Sequence, residues 1–441
     1  MTDRARSWAG ALSIYKIRTA PRFLCQAKAI VCCLCLFFYL AVPYIVRAAD
    51  NSGFYYPAEW ETQSSLWIGF RTVKEGRNYE PVLQRMLAAL AGHVHLNLLI
   101  ESTHDLMPSL KYFAGVGLGS TDFTMVETGF PYFWLRDTGP IFVKNREGKI
   151  KVLGVPFTRY RDIDNPQGRL AAVRHQKYIK KISQSLGIGI IPADIVLEGG
   201  TFDVNGAGVV LLSSILRDRN LHWPQKVLER KILRALGQRK AIWLRQGVAE
   251  DPYGFSKIVN QYWGRGTGGH LDQFVRFANE NTVLLAWVSE QENQNSDIAK
   301  INFQRMRENY TILKNTTDLN GQKLTIIKVP FPTMITYAYT INEESAPLYQ
   351  QRGVNLNAGD EIEVVAAASY LNFIITNGLI LLPAYEGATE SNGTSGKDGE
   401  MLRIMEKLFP RHKIVQINPL RLNWQGGGMH CIVQQQPVSF P

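Results

Sequence analysis

Apolar and polar positions follow one recurring order along this chain. An amphipathic stretch, with apolar side chains three and four apart, gives way to a short unbroken apolar run, and this happens five times. The spacing predicts five helices, each followed by a strand. Glu80–Gly92 precedes Val94–Ile100, Leu170–Gly187 precedes Ile188–Ile191, and Pro224–Gly237 precedes Ala241–Leu244. Asp297–Leu313 then precedes Leu324–Val329, and Asp398–Phe409 precedes Lys413–Ile417. Val227, Ile232, Leu233 and Leu236 illustrate the helical spacing. The short apolar runs read as strands covered on both faces.

Hairpin signals are interleaved with these pairs. Ile141–Val155 turns at Asn145–Gly148, Phe202–Leu212 at Asn205-Gly206, Phe274–Val288 at Asn279–Asn281, and Phe373–Leu382 at Asn377-Gly378. Asn-Gly between apolar runs marks a tight hairpin, because both central residues take positive φ. A fifth hairpin needs a strand after Cys431, at Ile432–Gln434, and Ser65–Phe70 offers it a partner. The predicted fold is therefore α/β: five pseudosymmetric units around an axis, a fivefold α/β propeller closed by pairing first strand with last. No linker rich in Pro, Gly or Ser interrupts residues 50–441, which read as a single domain.

Residues 1–49 have another character. Arg4, Arg6, Lys16, Arg18, Arg22 and Lys28 face one acid, Asp3; the apolar run Ala29–Val42 follows, then Val46-Arg47-Ala48. A basic region, an apolar core and small residues at a cleavage site make a secretory signal. Counted on to Val46 the apolar stretch has 18 residues, the lower edge of a membrane span, so an uncleaved anchor is the alternative. Either way the protein is expected to be exported, periplasmic or secreted. Without residues 1–48, which hold seven of the 49 Lys/Arg and one of the 38 Asp/Glu, net charge falls from +11 to +5. Spread over nearly 400 residues, that does not point to nucleic acid as a partner.

The leader also accounts for Cys25, Cys32, Cys33 and Cys35, leaving Cys431 alone in the remainder. A single cysteine in an exported chain makes no internal disulfide, and its ordinary role is that of a small buried hydrophobe. Its neighbourhood argues for more. Arg136-Asp137, Glu198-Gly199-Gly200, Gly269-His270-Leu271-Asp272, Tyr370-Leu371-Asn372 and Gly426–Cys431 all fall between strand and hairpin in successive units. In a closed ring such equivalent places converge. The converging set holds three carboxylates, an imidazole and a thiol, which suits a guanidinium: a planar cation that stays charged and pairs bidentately with carboxylates. Asp137 and Asp272 would hold its nitrogens, Cys431 would attack its carbon, and His270 would serve first as acid and then as base. Blander roles exist for each: a turn for Asp137 before Thr138-Gly139-Pro140, backbone donors at Gly199-Gly200 for Glu198, a structural hydrogen bond for His270. His270 and Asp272, two apart on an extended segment, would share a face. Met429 and His430 read as packing and scaffold. The other histidines show no metal-ligand spacing, and no cofactor is expected.

Several segments together resemble the agmatine deiminase family, which includes the Porphyromonas-type peptidyl-arginine deiminases. They are Pro57-Ala58-Glu59-Trp60-Glu61, Leu135–Pro140, Leu197–Gly200, Gly269–Asp272 with Leu284–Trp287, and Gly427–Gln435. The resemblance spans most of residues 50–441. It implies a pentein-type propeller and a hydrolase that converts a guanidinium to a ureido group with release of ammonia. Cys431 would be nucleophile, His270 the acid and base, and Asp137 and Asp272 the clamp, with Glu198 beside them. Asp203 and Asn205 stand where the agmatine branch usually has His and Asp, and Phe157–Arg161 replaces its Trp-Gly-Gly stretch. A C-terminal arginine ends in a carboxylate, which Arg159 and Arg161 would suit. Agmatine, free arginine and peptidyl arginine all remain open as substrates. An amidinotransferase of the same fold, a non-catalytic module binding cations, and a cysteine protease or acyltransferase are the competing classes; the last leaves the carboxylates unexplained.

Overall fold

Helix ends are written into the sequence. In the computed structural model Asn165 precedes the helix Pro166–Leu186, and its side chain accepts from Gln167 N at 3.0 Å and Gly168 N at 3.2 Å. That satisfies donors a first turn leaves unpaired. Gly187 ends the helix in the left-handed region, φ 66°, where a side chain is disfavoured. Gly237 closes Gln225–Leu236 in the same way, φ 62°. The structure describes residues 53–70, 79–101, 115–119, 122–130, 132–351, 353–386 and 396–439. All belong to one compact unit, Asp50–Pro441. The expected leader or anchor lies outside the described residues. Among the described residues no helix is long and apolar enough to cross a membrane.

The chain opens with β1 (Gln63–Gly69), α1 (Glu80–Leu90), β2 (His95–Ile100) and β3 (Phe123–Glu127). Four units of one plan follow. Hairpin β4 (Ile141–Lys144) and β5 (Ile150–Gly154) leads through α2 (Pro166–Leu186) to β6 (Gly189–Pro192). Hairpin β7 (Phe202–Val204) and β8 (Val209–Ser213) leads through α3 (Gln225–Leu236) to β9 (Lys240–Leu244). An inserted hairpin comes next, β10 (Tyr253–Val259) and β11 (Tyr262–Thr267). Then β12 (Val275–Phe277) and β13 (Thr282–Trp287) lead through α4 (Asp297–Asn315) to β14 (Thr325–Pro330). A second insertion carries β15 (Thr336–Thr340) and β16 (Glu361–Val365). Finally β17 (Ile374–Thr376) and β18 (Leu379–Pro383) lead through α5 (Gly396–Leu408) to β19 (Lys413–Ile417), and β20 (Val433–Pro437) ends the series.

Four three-stranded sheets, β4-β5-β6, β7-β8-β9, β12-β13-β14 and β17-β18-β19, share one topology: an antiparallel hairpin whose second strand pairs in parallel with the third. The fifth sheet runs β20-β1-β2-β3, with Ile68 opposite Val433 and Trp67 opposite Gln434 in antiparallel register. The expected pairing of first strand with last is therefore present. Strand faces and helix stripes are buried together: Leu228, Ile232 and Leu236 of α3 lie in one cluster with Val204, Val210 and Leu212. Each such side chain contributes roughly 1.5–3 kcal/mol when fully buried.

A sixth sheet, β10-β11-β16-β15, is built wholly from the two insertions. Its residues are half-exposed more often than buried, so the apolar rhythm gave no sign of it. Its first hairpin leaves the main body after Asp251 and returns at Thr267, immediately before Gly269-His270. Tyr253 lies 5.6 Å from the Arg219 guanidinium, and Tyr337 packs edge-on against Trp424 at 4.9 Å.

Candidate active site

Four short turns, one from each of four units, carry the site. The first is Leu135–Thr138, a single helical turn closed by Gly139 N donating to the Leu135 carbonyl at 2.7 Å. A Cβ at Gly139 would lie 2.4 Å from that carbonyl oxygen, so no other residue fits there. The turn sends neighbouring side chains opposite ways. Arg136 reaches Glu59 at 3.2 Å and Gln435 at 2.6 Å, whereas Asp137 faces His270, Oδ1 to Nδ1, at 3.5 Å.

The second turn is Gly199–Thr201. Glu198, just before it, leaves the backbone donors of this turn alone. Its Oε1 accepts from Arg219 Nε at 3.1 Å, and its Oε2 lies 3.8 Å from His270 Nε2. A Cβ at Gly200 would fall 2.2 Å from His270 Nδ1, so the imidazole presses directly on glycine backbone.

The third turn, Leu271–Gln273, has His270 at its N-terminus. His270 is extended as expected, but from Leu271 the chain tightens into a 3-10 turn, so His270 and Asp272 do not lie on one extended segment. His270 and Asp272 still both reach the site, because Asp251 fixes the approach: its Oδ2 accepts from Gly269 N and His270 N, each at 2.9 Å. The fourth turn, His430–Ile432, places Cys431 Sγ where three N–H groups point at it. They are Asn372 Nδ2 at 3.2 Å, Gly428 N at 3.3 Å and, more distantly, Gln273 Nε2 at 3.9 Å. Sγ itself lies 3.6 Å from Asp272 Oδ2.

Cys431, His270, Asp137, Asp272 and Glu198 are thus brought together, all buried. Arg159 and Arg161 are not in that cluster. Arg159 is exposed, close enough to act on the Tyr132 phenol; Arg161 is half-buried, its Cβ against the backbone that Gly168 leaves open. Between them, Tyr160 turns inward and donates to Asp137 Oδ2 at 2.6 Å. His430 is more than scaffold: Nδ1 meets Asp272 Oδ2 at 2.8 Å and Nε2 meets Glu59 Oε1 at 2.7 Å. Glu59 also binds Arg276 at 2.5 Å, and Arg276 Nε meets Asp203 at 3.4 Å. Asp203 and Asn205, the departures from the agmatine branch, therefore serve the framework. Asn205 binds the backbone of Glu280 and its own turn.

One pattern unites the three carboxylates. Each has one oxygen fixed by a protein donor, Tyr160 for Asp137, His430 for Asp272 and Arg219 for Glu198. Each has its other oxygen, Asp137 Oδ1, Asp272 Oδ1 and Glu198 Oε2, buried without a hydrogen-bond partner. Gln273 Oε1 and His270 Nε2 are left in the same condition. A buried acceptor without a donor costs about 1–3 kcal/mol, more when charged, so the site is set for a ligand rich in N–H groups.

Electrostatics agree. Burial opposes charge on His270, but Asp137, Glu198 and Asp272 outweigh it and push it up to about 9. Burial raises Asp137 to about 6, against the pull of His270 and Tyr160. Burial resists the charge of Asp272 and Glu198 as well, yet His430 holds the former and Arg219 the latter below the usual carboxylate value. Burial, then Asp272 and Asp137, drives the Cys431 thiol well above its ordinary value. Both shifts favour the protonated form at neutral pH, a thiol at Cys431 and an imidazolium at His270.

Comparison with known proteins follows this geometry. A family model described as Porphyromonas-type peptidyl-arginine deiminase matches residues 55–437. An agmatine deiminase of Medicago truncatula is 28% identical over 410 residues, covering 88% of this chain and 97% of that enzyme. One from Ectopseudomonas mendocina is 28% identical over 397 residues, covering 88% and 96%. Among solved structures, the agmatine deiminase of Enterococcus faecalis superposes with a TM-score of 0.67 at 24% identity, over 89% of this chain and 98% of that one. A C. jejuni agmatine deiminase with substrate bound gives 0.63 at 19% identity, over 88% and 97%.

Proposed function

Because the chain belongs to the Porphyromonas-type peptidyl-arginine deiminase family, we propose that it is a guanidine deiminase working through a covalent adduct on Cys431. The observation that carries this reading is a set of four buried acceptors that receive no hydrogen bond, Asp272 Oδ1 and Gln273 Oε1 together with Asp137 Oδ1 and Glu198 Oε2, the last two facing His270 at 3.5 and 3.8 Å, in the same cluster as one thiol. A monosubstituted guanidinium offers five N–H groups and a positive charge to such a set. A peptide carbonyl, the target of a cysteine protease, offers neither. We also read the five sheets as a fivefold propeller, which brings the four turns to a common axis.

The sequence of events balances. Entry of the cation between Asp137 and Asp272 offsets the negative field that keeps the thiol protonated, and Cys431 releases its proton to solvent. Sγ attacks the guanidinium carbon and forms a neutral tetrahedral adduct. His270, protonated at rest, donates to one nitrogen; the C–N bond breaks, ammonia leaves, and a thiouronium cation stays on sulfur. Neutral His270 then takes a proton from water as its oxygen attacks the same carbon. The C–S bond breaks, the new hydroxyl proton returns to sulfur, and a ureido product departs. Donors from Asn372, Gly428 and Gln273 face Sγ in both steps where it carries charge.

Agmatine is the substrate named for the relatives, and the family name speaks of peptidyl arginine. The deciding experiment follows ammonia release with agmatine, free arginine, and peptides bearing internal or C-terminal arginine. No ammonia from any of them would defeat the deiminase reading; transfer to an added amine without ammonia would favour the amidinotransferase.

A further inference from the structure

We infer that Tyr160 is a positioning residue of this site: a left-handed turn delivers its hydroxyl to one oxygen of Asp137, so that the other, Oδ1, is the one offered to substrate. The inference rests on the reading of Asp137 as part of the guanidinium clamp. Two independent features carry it.

The first is backbone strain. Arg159 and Tyr160 take φ of 55° and 63°, in succession, and neither is glycine. Among the described residues only Asn260 shares that condition, and asparagine tolerates it far better than a bulky side chain does. Such conformations persist where their surroundings over-determine them, and they gather at functional sites. Here the restraints can be named. Thr158 Oγ1 donates to the Arg161 carbonyl at 2.5 Å, closing the turn. Phe157 N donates to His175 Nδ1 at 3.2 Å, and His175 Nε2 donates to the Thr138 carbonyl at 2.9 Å. Burial keeps His175 neutral, down to about 4, which suits one ring nitrogen as acceptor and the other as donor. One buried imidazole therefore ties the strained loop to the turn that carries Asp137.

The second feature is where the side chain goes. Its hydroxyl meets Asp137 Oδ2 at 2.6 Å, its ring centre lies 6.1 Å from that of His270, and the Arg219 guanidinium sits 5.5 Å from it. The groups acting on Asp137 are His270, Tyr160, Glu198 and Asp272, with the Cys431 thiol beyond. His270 and Tyr160 favour the carboxylate; Glu198 and Asp272 oppose it. Tyr160 is the one supporter that is not itself assigned to proton transfer.

The test uses the full chain and 2-chloroacetamidine, a small cationic alkylating agent, with uncharged iodoacetamide as control. Inactivation of Cys431 by the amidine should require ionised Asp137. In Tyr160→Phe its rate at neutral pH should fall about tenfold, a typical cost for losing a hydrogen bond to a charged group. The acid limb of its pH profile should move upward while the alkaline limb stays, with the melting temperature near that of wild type. An unmoved acid limb overturns the inference, whatever happens to the melting temperature. If wild type itself reacts no faster with the amidine than with iodoacetamide, the guanidinium reading falls and this inference falls with it. The two failures are therefore told apart by which protein shows them.

Discussion

Replacing Asp272 with asparagine should change the reactivity of Cys431 in opposite directions toward two reagents. Asp272 Oδ2 sits 3.6 Å from Sγ, and Oδ1 has no partner. The carboxylate therefore raises the thiol's pKa and, on the reading above, helps hold the cation. Asp272→Asn removes both effects and keeps the side-chain shape. A neutral reagent such as iodoacetamide senses only the thiol, which ionises more readily in the variant, so its rate at pH 7 should rise. A cationic amidine, or a guanidinium substrate, also loses a buried partner. Breaking such a pair costs about 3–5 kcal/mol, which is roughly a hundredfold to a few thousandfold in kcat/KM at about 1.4 kcal/mol per tenfold. The assay is mass-spectrometric alkylation of Cys431 with both reagents, beside ammonia release by each protein. If both alkylation rates fall together, Asp272 acts on sulfur reactivity or folding and not on the cation. A loss of turnover below about tenfold would remove it from the clamp.

Activity should rise with pH as Asp137 ionises near about 6 and fall as His270 loses its proton near about 9, giving a bell between them; a profile flat across either limb would break that assignment. His270 gains its proton affinity on folding, so its ion pairing stabilises the fold fully below the unfolded value of about 6.5 and is lost as pH climbs through about 9. Melting temperature should therefore decline over that window in wild type and less steeply in His270→Gln. Arg276→Met removes one buried cation from both Glu59, which keeps Arg136 and His430, and Asp203, which keeps the Phe277 N–H; a loss of about 3–5 kcal/mol by denaturant titration is expected. If Arg159 binds a substrate carboxylate, Arg159→Ala should raise KM for C-terminal arginine peptides and leave agmatine unchanged. Intact mass of exported protein should place the N-terminus near Ala49, whereas full-length chain confined to membranes would indicate an anchor.

Much of the architecture was legible because its strands are covered on both faces and its helices on one. The strand Lys413–Ile417 has the predicted bounds, and helix Gln225–Leu236 differs by one residue at each end. The sheet of β10, β11, β15 and β16 escaped notice for the converse reason: half-exposed strands such as Tyr253–Val259 show no sustained alternation or apolar run. In the site, residue types with chemistry were visible and their supports were not. Cys431 and His270 stand out by kind. Tyr160, Arg219, Asn372, Glu59 and Asp251 matter through partners up to 371 positions away, as with Glu59 and His430, and no local pattern records a partner. What lies against the glycines at 139, 199, 200 and 428 came only from the fold.

Pairing the first strand with the last also orders events in time. Cys431 comes after every other residue of the site in sequence, and β20, beginning at Val433, is seated against β1 through Ile68 opposite Val433. During synthesis Asp137, His270, Asp272 and the first strand leave the ribosome about 160 to about 370 residues ahead of the thiol. A chain that stops just short of residue 431 carries every other residue of the site and lacks this thiol. The sheet β20-β1-β2-β3 cannot be completed before residue 437 has been made, and Cys431, two residues ahead of β20, is held where it lies by that last pairing.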